Sequence, residues 1–318
     1  MKNLLYGFWL AVIIMSCNSD DRGVTEEDVV YRIAYNVLYD DEADDYEVFS
    51  MNLDGSDKKQ ISRSPGVDWV YYAHADKLYF LSDRDTAHRH YFLHEMDAHG
   101  NDIRKVYDVR LADSWMGSRK NGSELVVRPF RTVDSAFHII DLQGNLLQRV
   151  EPDLAMINDP TFSPDGIQIY FRGSPVPMVR DSMFYDELFV INIDGTGLKQ
   201  ITEYPRSDTT ARWHSYKAGP PRWNLNDNYI TYQSMQDGKY SLFASTPDGS
   251  RQWKLTDKEM SEGWHDWSPN ARWLAIEVFD KEQSQFDIAL MNWNTKEVTM
   301  LTDSTYKYQQ APVFVEVK

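Results

Sequence analysis

From Val30 onward one arrangement of apolar and polar positions recurs along the chain. An alternating apolar segment, which predicts a half-buried strand, runs into a short Asp-Gly turn. A basic or polar residue follows, and then a brief strand ending in Ile or Leu and Thr or Ser. Met51–Ser56 leads in this way to Gln60–Ser62, Ile191–Thr196 to Gln200–Thr202, and Ser245–Ser250 to Lys254–Thr256. Weaker copies occupy Met96–Asn101, Ile140–Asn145 and Met291–Thr295, the last closing at Leu301-Thr302. The turn glycines at 55, 100, 144, 195 and 249 recur at intervals of about 45 to 55 residues, the period of propeller blades.

A second turn lies between these. Thr161–Gly166 precedes the predicted strand Ile167–Phe171, and Asp266–Ala271 precedes Trp273–Glu277. Degenerate versions are Arg222–Asp227 before Tyr229–Tyr232 and Gly117–Gly122 before Leu125–Val127. Proline there pre-sets φ, while glycine or asparagine accepts a positive one. One repeat is thus four strands joined by hairpins.

These two words, Phe-Ser-Pro-Asp-Gly before one strand and Asn-x-Asp-Gly ahead of Ile/Leu-Thr, resemble the TolB-like (WD40-like PD40) repeat. The resemblance covers essentially all of Val30 to Lys318 and is clearest in the fourth to sixth units. It implies an all-β fold, a six-bladed β-propeller of four-stranded antiparallel blades. Counting gives six units, of which the first lacks its innermost strand. The chain enters at Arg32–Asn36, which reads as a second strand, and leaves through Gln309–Val315, which aligns with innermost strands. Closure of blade one by the C-terminal strand follows, because an opened propeller would leave an unpaired edge. TolB itself pairs its propeller with an N-terminal α/β domain that has no counterpart here, so the resemblance implies the fold and not the Tol–Pal role.

The residues before the repeat change the picture of where the protein works. Lys2, the apolar run Leu4–Met15 and Ile14–Cys17 resemble a bacterial lipoprotein signal, with residues 1–16 as the signal peptide. Cys17 is the one cysteine of the chain, so no disulfide can form within it, and the resemblance implies a lipid on its thiol. Residues 17–29 read as a polar tether and 30–318 as the propeller. The acidic and serine residues after Cys17 resemble the export signal of Bacteroidota surface lipoproteins. An outer-membrane lipoprotein facing periplasm or cell surface, held to the membrane by its lipid, is the expected state. A formal net charge of -16 argues against non-specific attraction to nucleic acid.

Propeller architecture sorts the loops. The short Asp-Gly and Ser-Pro-Asp-Gly turns fall on one face, while the irregular stretches Ser82–Tyr91, Arg128–Ser135, Gly173–Asp186 and Glu203–Pro221 fall on the other. Long loops on a rigid scaffold are common places for binding. Arg84, Arg89, Arg128, Arg131, Arg172, Arg180, Arg206, Arg212 and Arg222 map to that second face or its rim, and guanidinium forks suit carboxylate, sulfate or phosphate oxygens. The bland alternative is pairing with the nearby Asp83, Asp85, Asp134, Asp181 and Asp208. Starts of innermost strands add Asp68, Asp113, Asp159, His265 and Gln310, with Asp159 and His265 as a possible acid–base or metal pair. His88 and His90 lack a third ligand at a recognisable spacing, and the Asp-Gly turns do not match a calcium loop. Trp69, Trp115, Trp223, Trp267 and Trp273 read as core between blades.

The ligand-binding candidates are therefore Arg84, Arg128, Arg131, Asp159, Arg180, Arg212, Arg222 and His265, with Cys17 for lipidation and no metal or cofactor. The expected function is a non-catalytic, monomeric propeller that binds an envelope protein or an acidic glycan or peptide at the arginine-rich channel face. The alternative is a carbohydrate-active enzyme related to oligogalacturonate lyases, which act on acidic oligosaccharides. Those hold a divalent metal through a histidine-rich cluster, whereas Tyr308–Pro312 has glutamines and no following histidines. No Gly-x-Ser-x-Gly elbow is present to support a serine hydrolase.

Overall fold

The computed structural model describes residues 29–178, 186–203, 205, 207–257 and 259–317. The expected signal peptide, Cys17, most of the tether and Arg180 lie outside them. Among the described residues the chain forms strands and turns only, in six four-stranded antiparallel sheets. The innermost strands of blades one to six are Gln309–Val317, Asp68–His74, Gly117–Arg119, Met156–Phe162, Arg222–Asn224 and Ser261–Trp267. Each blade then adds its strands outward in simple order. This is the six-bladed propeller the repeat predicts.

Closure is also as expected. Gln309–Val317 pairs antiparallel with Val30–Asp40, with Val30 opposite Val317 and Ile33 opposite Phe314. Side chains alternate across a strand, so this last strand serves two cores at once. Ala311, Val313 and Val315 join the cluster that runs into blades two and three, while Phe314 joins the cluster shared with blade six.

The recurring words have distinct physical jobs. Gly55, Gly100, Gly144 and Gly249 adopt positive φ in their turns, and each presses on the preceding blade. A Cβ on Gly100 would lie 2.0 Å from the Ile61 carbonyl oxygen, and one on Gly144 would lie 2.4 Å from that of Val106. The corresponding distances are 2.7 Å from Gly249 to Ile201 and 3.0 Å from Gly55 to Leu301, across the closing joint. Glycine is thus required for close approach as well as for turn geometry.

The Thr or Ser of the Ile/Leu-Thr word works differently. Ser62, Thr202 and Thr302 accept the backbone N–H of Val48, Leu188 and Ile288 at 2.8, 2.9 and 2.8 Å. Each hydroxyl then donates to a buried carboxylate next in sequence to that N–H: Glu47, Glu187 or Asp287. In blade five Thr256 accepts from Leu242 but donates instead to Glu262, of blade six. Such a chain satisfies three buried polar groups together, each of which would cost about 1–3 kcal/mol if left unpaired.

A blocked channel and a candidate ligand cavity

Innermost strands bring aromatic side chains to the axis, and these meet across it. Trp264 of blade six lies edge-on to Trp69 of blade two (6.0 Å between centroids) and to Trp115 of blade three (6.2 Å). Tyr71 packs against both Trp69 and Trp115. The Arg222 guanidinium, from blade five, sits 3.8 Å over the Trp115 ring and donates to the Tyr71 carbonyl at 3.1 Å. Contacts between blades that are not neighbours in the ring mean that the channel is plugged at its middle. Trp69 and Trp115 therefore plug the channel in addition to packing between neighbouring blades as expected, Trp69 on Tyr46 of blade one and Trp115 on Tyr71 of blade two. Trp223, Trp267 and Trp273 also pack between blades or on their shared clusters.

On the loop face the plug leaves a cavity of about 540 Å³ between blades three, four and five, within the usual range for small-ligand sites. Its floor is acidic and amidic. Arg172 bridges Asp159 and Asp186, reaching Asp186 Oδ2 at 3.0 Å. Asp186 Oδ1 and Gln233 Oε1 are buried acceptors with no donor. Burial pushes the Asp186 carboxyl up to about 6, against the opposing pull of Arg172. Nearby, the Tyr71 hydroxyl donates to Asp113, and the Asn158 amide donates to the Asp113 carbonyl.

The rim has the opposite character. Arg131 is exposed and makes no ion pair among the described residues. Lys217 Nζ lies 4.6 Å from the ring centroid of Trp213, a residue 38% exposed at the cavity edge. Burial, with Arg212 and Lys217 nearby, pushes the His214 imidazole below its ordinary pKa. Met178, 64% exposed, completes an apolar lip.

The sequence candidates divide between this cavity and other places. Arg131, Arg128 and Arg172 line it, and Asp159 stands directly behind Arg172. Arg128 is buried and donates to the carbonyls of Ile157, Pro129 and Asp134, which makes it a brace for the Arg128–Ser135 loop. Arg84 is held by Asp68 at 2.7 Å and by Ser82, and Arg89 by Asp44 at 2.7 Å. Pairing is thus common, as the bland alternative holds, but for these arginines the partners are Asp68, Asp44, Asp159 and Asp186 and not the aspartates nearest in sequence. Arg212 is exposed on the inter-blade loop.

Two candidates face elsewhere. Arg222, expected on the loop face, lines the opposite mouth, because its place on the innermost strand points it into the plug. His265 is 2% exposed, its Nε2 lies 2.7 Å from Thr231 Oγ1, and burial pushes its pKa down to about 3. It and Asp159 form no pair, since the Asp159 carboxylate takes the Trp115 N–H and Arg172. His88 faces Asp44 and Asp83, at 2.8 and 3.3 Å. Among the described residues no cluster of three or more His, Cys, Asp or Glu could hold a metal ion. Sequence reasoning missed Gln233, which a regular strand carries, and Trp213, which lay in a loop scanned only for arginine.

The chain matches no protein-family profile. It is 30% identical over 103 residues to dipeptidyl-peptidase 5 of Porphyromonas endodontalis, a stretch covering 32% of this chain and 13% of that protein. Among solved structures, TolB from Acinetobacter baumannii superposes with a TM-score of 0.67 at 13% identity, over 89% of this chain and 66% of that one. Oligogalacturonate lyase from Vibrio parahaemolyticus gives 0.50 at 12% identity, over 88% and 81%. At such identities the likeness is one of fold: the chain has a TolB-like six-bladed propeller.

Proposed function

We propose that this chain is a lipid-anchored, non-catalytic binding propeller of the cell envelope whose loop-face cavity takes an acidic, hydroxyl-rich glycan. One observation carries the reading. Asp186 Oδ1 and Gln233 Oε1 are buried acceptors without donors at the floor of a cavity rimmed by Arg131, Lys217 and Trp213. Sugar hydroxyls supply donors to such a floor, a uronate carboxylate suits an uncommitted guanidinium, and an exposed indole suits a sugar face. Calorimetric titration with a defined oligogalacturonate tests it. Saturable binding, absent for a neutral oligosaccharide and weakened about tenfold by Arg131→Ala, is expected. Equal binding of neutral and acidic sugars, or none of either, overturns it.

Anchoring is tested separately. Cys17→Ala should move the protein from the membrane to the soluble fraction, since stable anchoring needs the acyl chains. Lyase activity is the second reading, favoured by the Asp186 carboxylate on the cavity floor, whose affinity for a proton burial raises, as a general base requires. Appearance of the unsaturated-uronate absorbance on incubation with the same oligosaccharide would replace binding with turnover.

A further inference from the structure

The second cavity, on the hairpin face, is the larger at about 980 Å³ and ends on a side chain whose charge is poorly matched. Arg222 is 7% exposed. Its Nε donates to the His265 carbonyl at 3.3 Å and its Nη2 to the Tyr71 carbonyl at 3.1 Å. The carboxylate facing it, Asp266, stands 3.8 Å away and is engaged elsewhere, its Oδ2 accepting the Phe314 N–H at 3.0 Å. Arg84 and Arg172, by comparison, touch carboxylates within hydrogen-bond distance. A guanidinium carries five N–H donors, and Nη1 of Arg222 has no acceptor among the described residues. Such a group, largely buried but with donors open to the cavity, favours an anionic acceptor that enters it.

Around this floor the walls are partly apolar. Ile167 and Leu225 are 57% and 55% exposed at the mouth, with Pro164 and Pro269 beside them. Trp223 forms part of the wall, and its indole N–H is buried without an acceptor. The other cations at the mouth are committed: Arg119 and Lys120 both bind Glu124, at 2.7 and 2.6 Å.

We propose that the hairpin-face cavity binds an organic carboxylate, its oxygens on the open edge of Arg222 and its apolar body against Trp223, Leu225 and Ile167. This site is separate from the glycan cavity, with the aromatic plug between them. The ligand is either a free apolar acid or the C-terminus of a peptide. Asp266 of blade six, Asp165 of blade four, Glu316 of blade one and His74 of blade two also face the site. Burial holds the Asp266 carboxyl up at about 6, so it loses its charge as pH falls through that value and stops competing for Arg222.

The test is calorimetric titration of the full-length chain with hexanoate, hexanamide, and trileucine with a free or an amidated C-terminus. At least one acid should bind about tenfold more tightly than its amide, and more tightly at about pH 5.5 than at about pH 7.5. Binding of hexanoate marks a free acid as sufficient, and binding of the free peptide alone marks a chain end. Arg222→Gln should bring acid and amide level. Because that variant also disturbs the plug, Leu225→Asp at the exposed rim is the independent check, placing a repelling charge without touching the core. Asp186→Asn, in the other cavity, should leave acid binding unchanged. Acid and amide bound alike, none of the four probes bound, or Leu225→Asp without effect would each overturn the proposal.

Discussion

At one end of the channel the wall is made of hairpin turns that repeat from blade to blade, and at the other it is made of loops that share no pattern. The two cavities behind these walls differ just as much. The loop-face floor offers acceptors, Asp186 Oδ1 and Gln233 Oε1, under a rim with Arg131 and Lys217. On the hairpin face the floor is a guanidinium, under a rim of Ile167, Leu225 and two prolines. Between them stand Trp69, Tyr71, Trp115, Trp264 and Arg222. The lesson is that irregular sequence marks one place where a ligand can sit but not the only one. A regular turn shapes a cavity just as firmly, and what lies at the bottom is decided by the innermost strands.

The most severe way to break the comparison is to open the ring. Truncation after Tyr308 removes the innermost strand of blade one and with it the buried Ala311, Val313, Phe314 and Val315. At roughly 1.5–3 kcal/mol for each large apolar side chain, this rivals the whole stability of an ordinary domain of roughly 5–15 kcal/mol. Loss of a cooperative melting transition is expected, and an unchanged transition would refute closure as a requirement. Next comes the plug. Trp115→Ala should cost about 3–5 kcal/mol by denaturant unfolding and join the two cavities. If each cavity keeps its own ligand preference afterwards, the plug is structural and does not separate their chemistry.

A smaller effect concerns the closing joint. Glu277 is 4% exposed, accepts the Ala311 N–H at 3.2 Å, and burial pushes its carboxyl up to about 8. The folded protein therefore holds a proton that the unfolded chain, with its ordinary value of about 4.3, releases. This group's contribution is full below about pH 4.3 and is lost as pH rises through about 8. Glu277→Gln keeps an acceptor but cannot ionise, so its stability relative to wild type should climb by roughly 2–4 kcal/mol between about pH 5 and about pH 8.5. Parallel pH profiles of the two proteins would rule this out. The smallest effect sharpens the loop-face site: Arg131→Ala should shift stability by no more than about 0.5 kcal/mol, so any loss of oligogalacturonate binding reports the ligand and not the fold.

Much of this protein was legible in its linear chain. Asp-Gly and Ile/Leu-Thr recur because blades share two problems. One is a turn pressed on its neighbour, as at Gly100 against Ile61 though not at Gly195, and the other, in four of the six blades, is a buried N–H in need of an acceptor, as at Ile288 beside Thr302. Repetition of a local solution is what a sequence records well, and the missing innermost strand of blade one could be supplied from the C-terminus by counting alone. The direction of the long loops followed from the same periodicity. What lines a cavity was not written that way. Arg222 belongs to the hairpin-face cavity, His265 turns to Thr231, and Trp69 and Trp115 fill the axis, because those outcomes depend on contacts between blades roughly 30 to 200 residues apart. Alternation assigns a side chain to one side of its strand. Whether that side meets a neighbouring blade, an open cavity or a tryptophan from across the ring is settled only when six sheets close on a common axis.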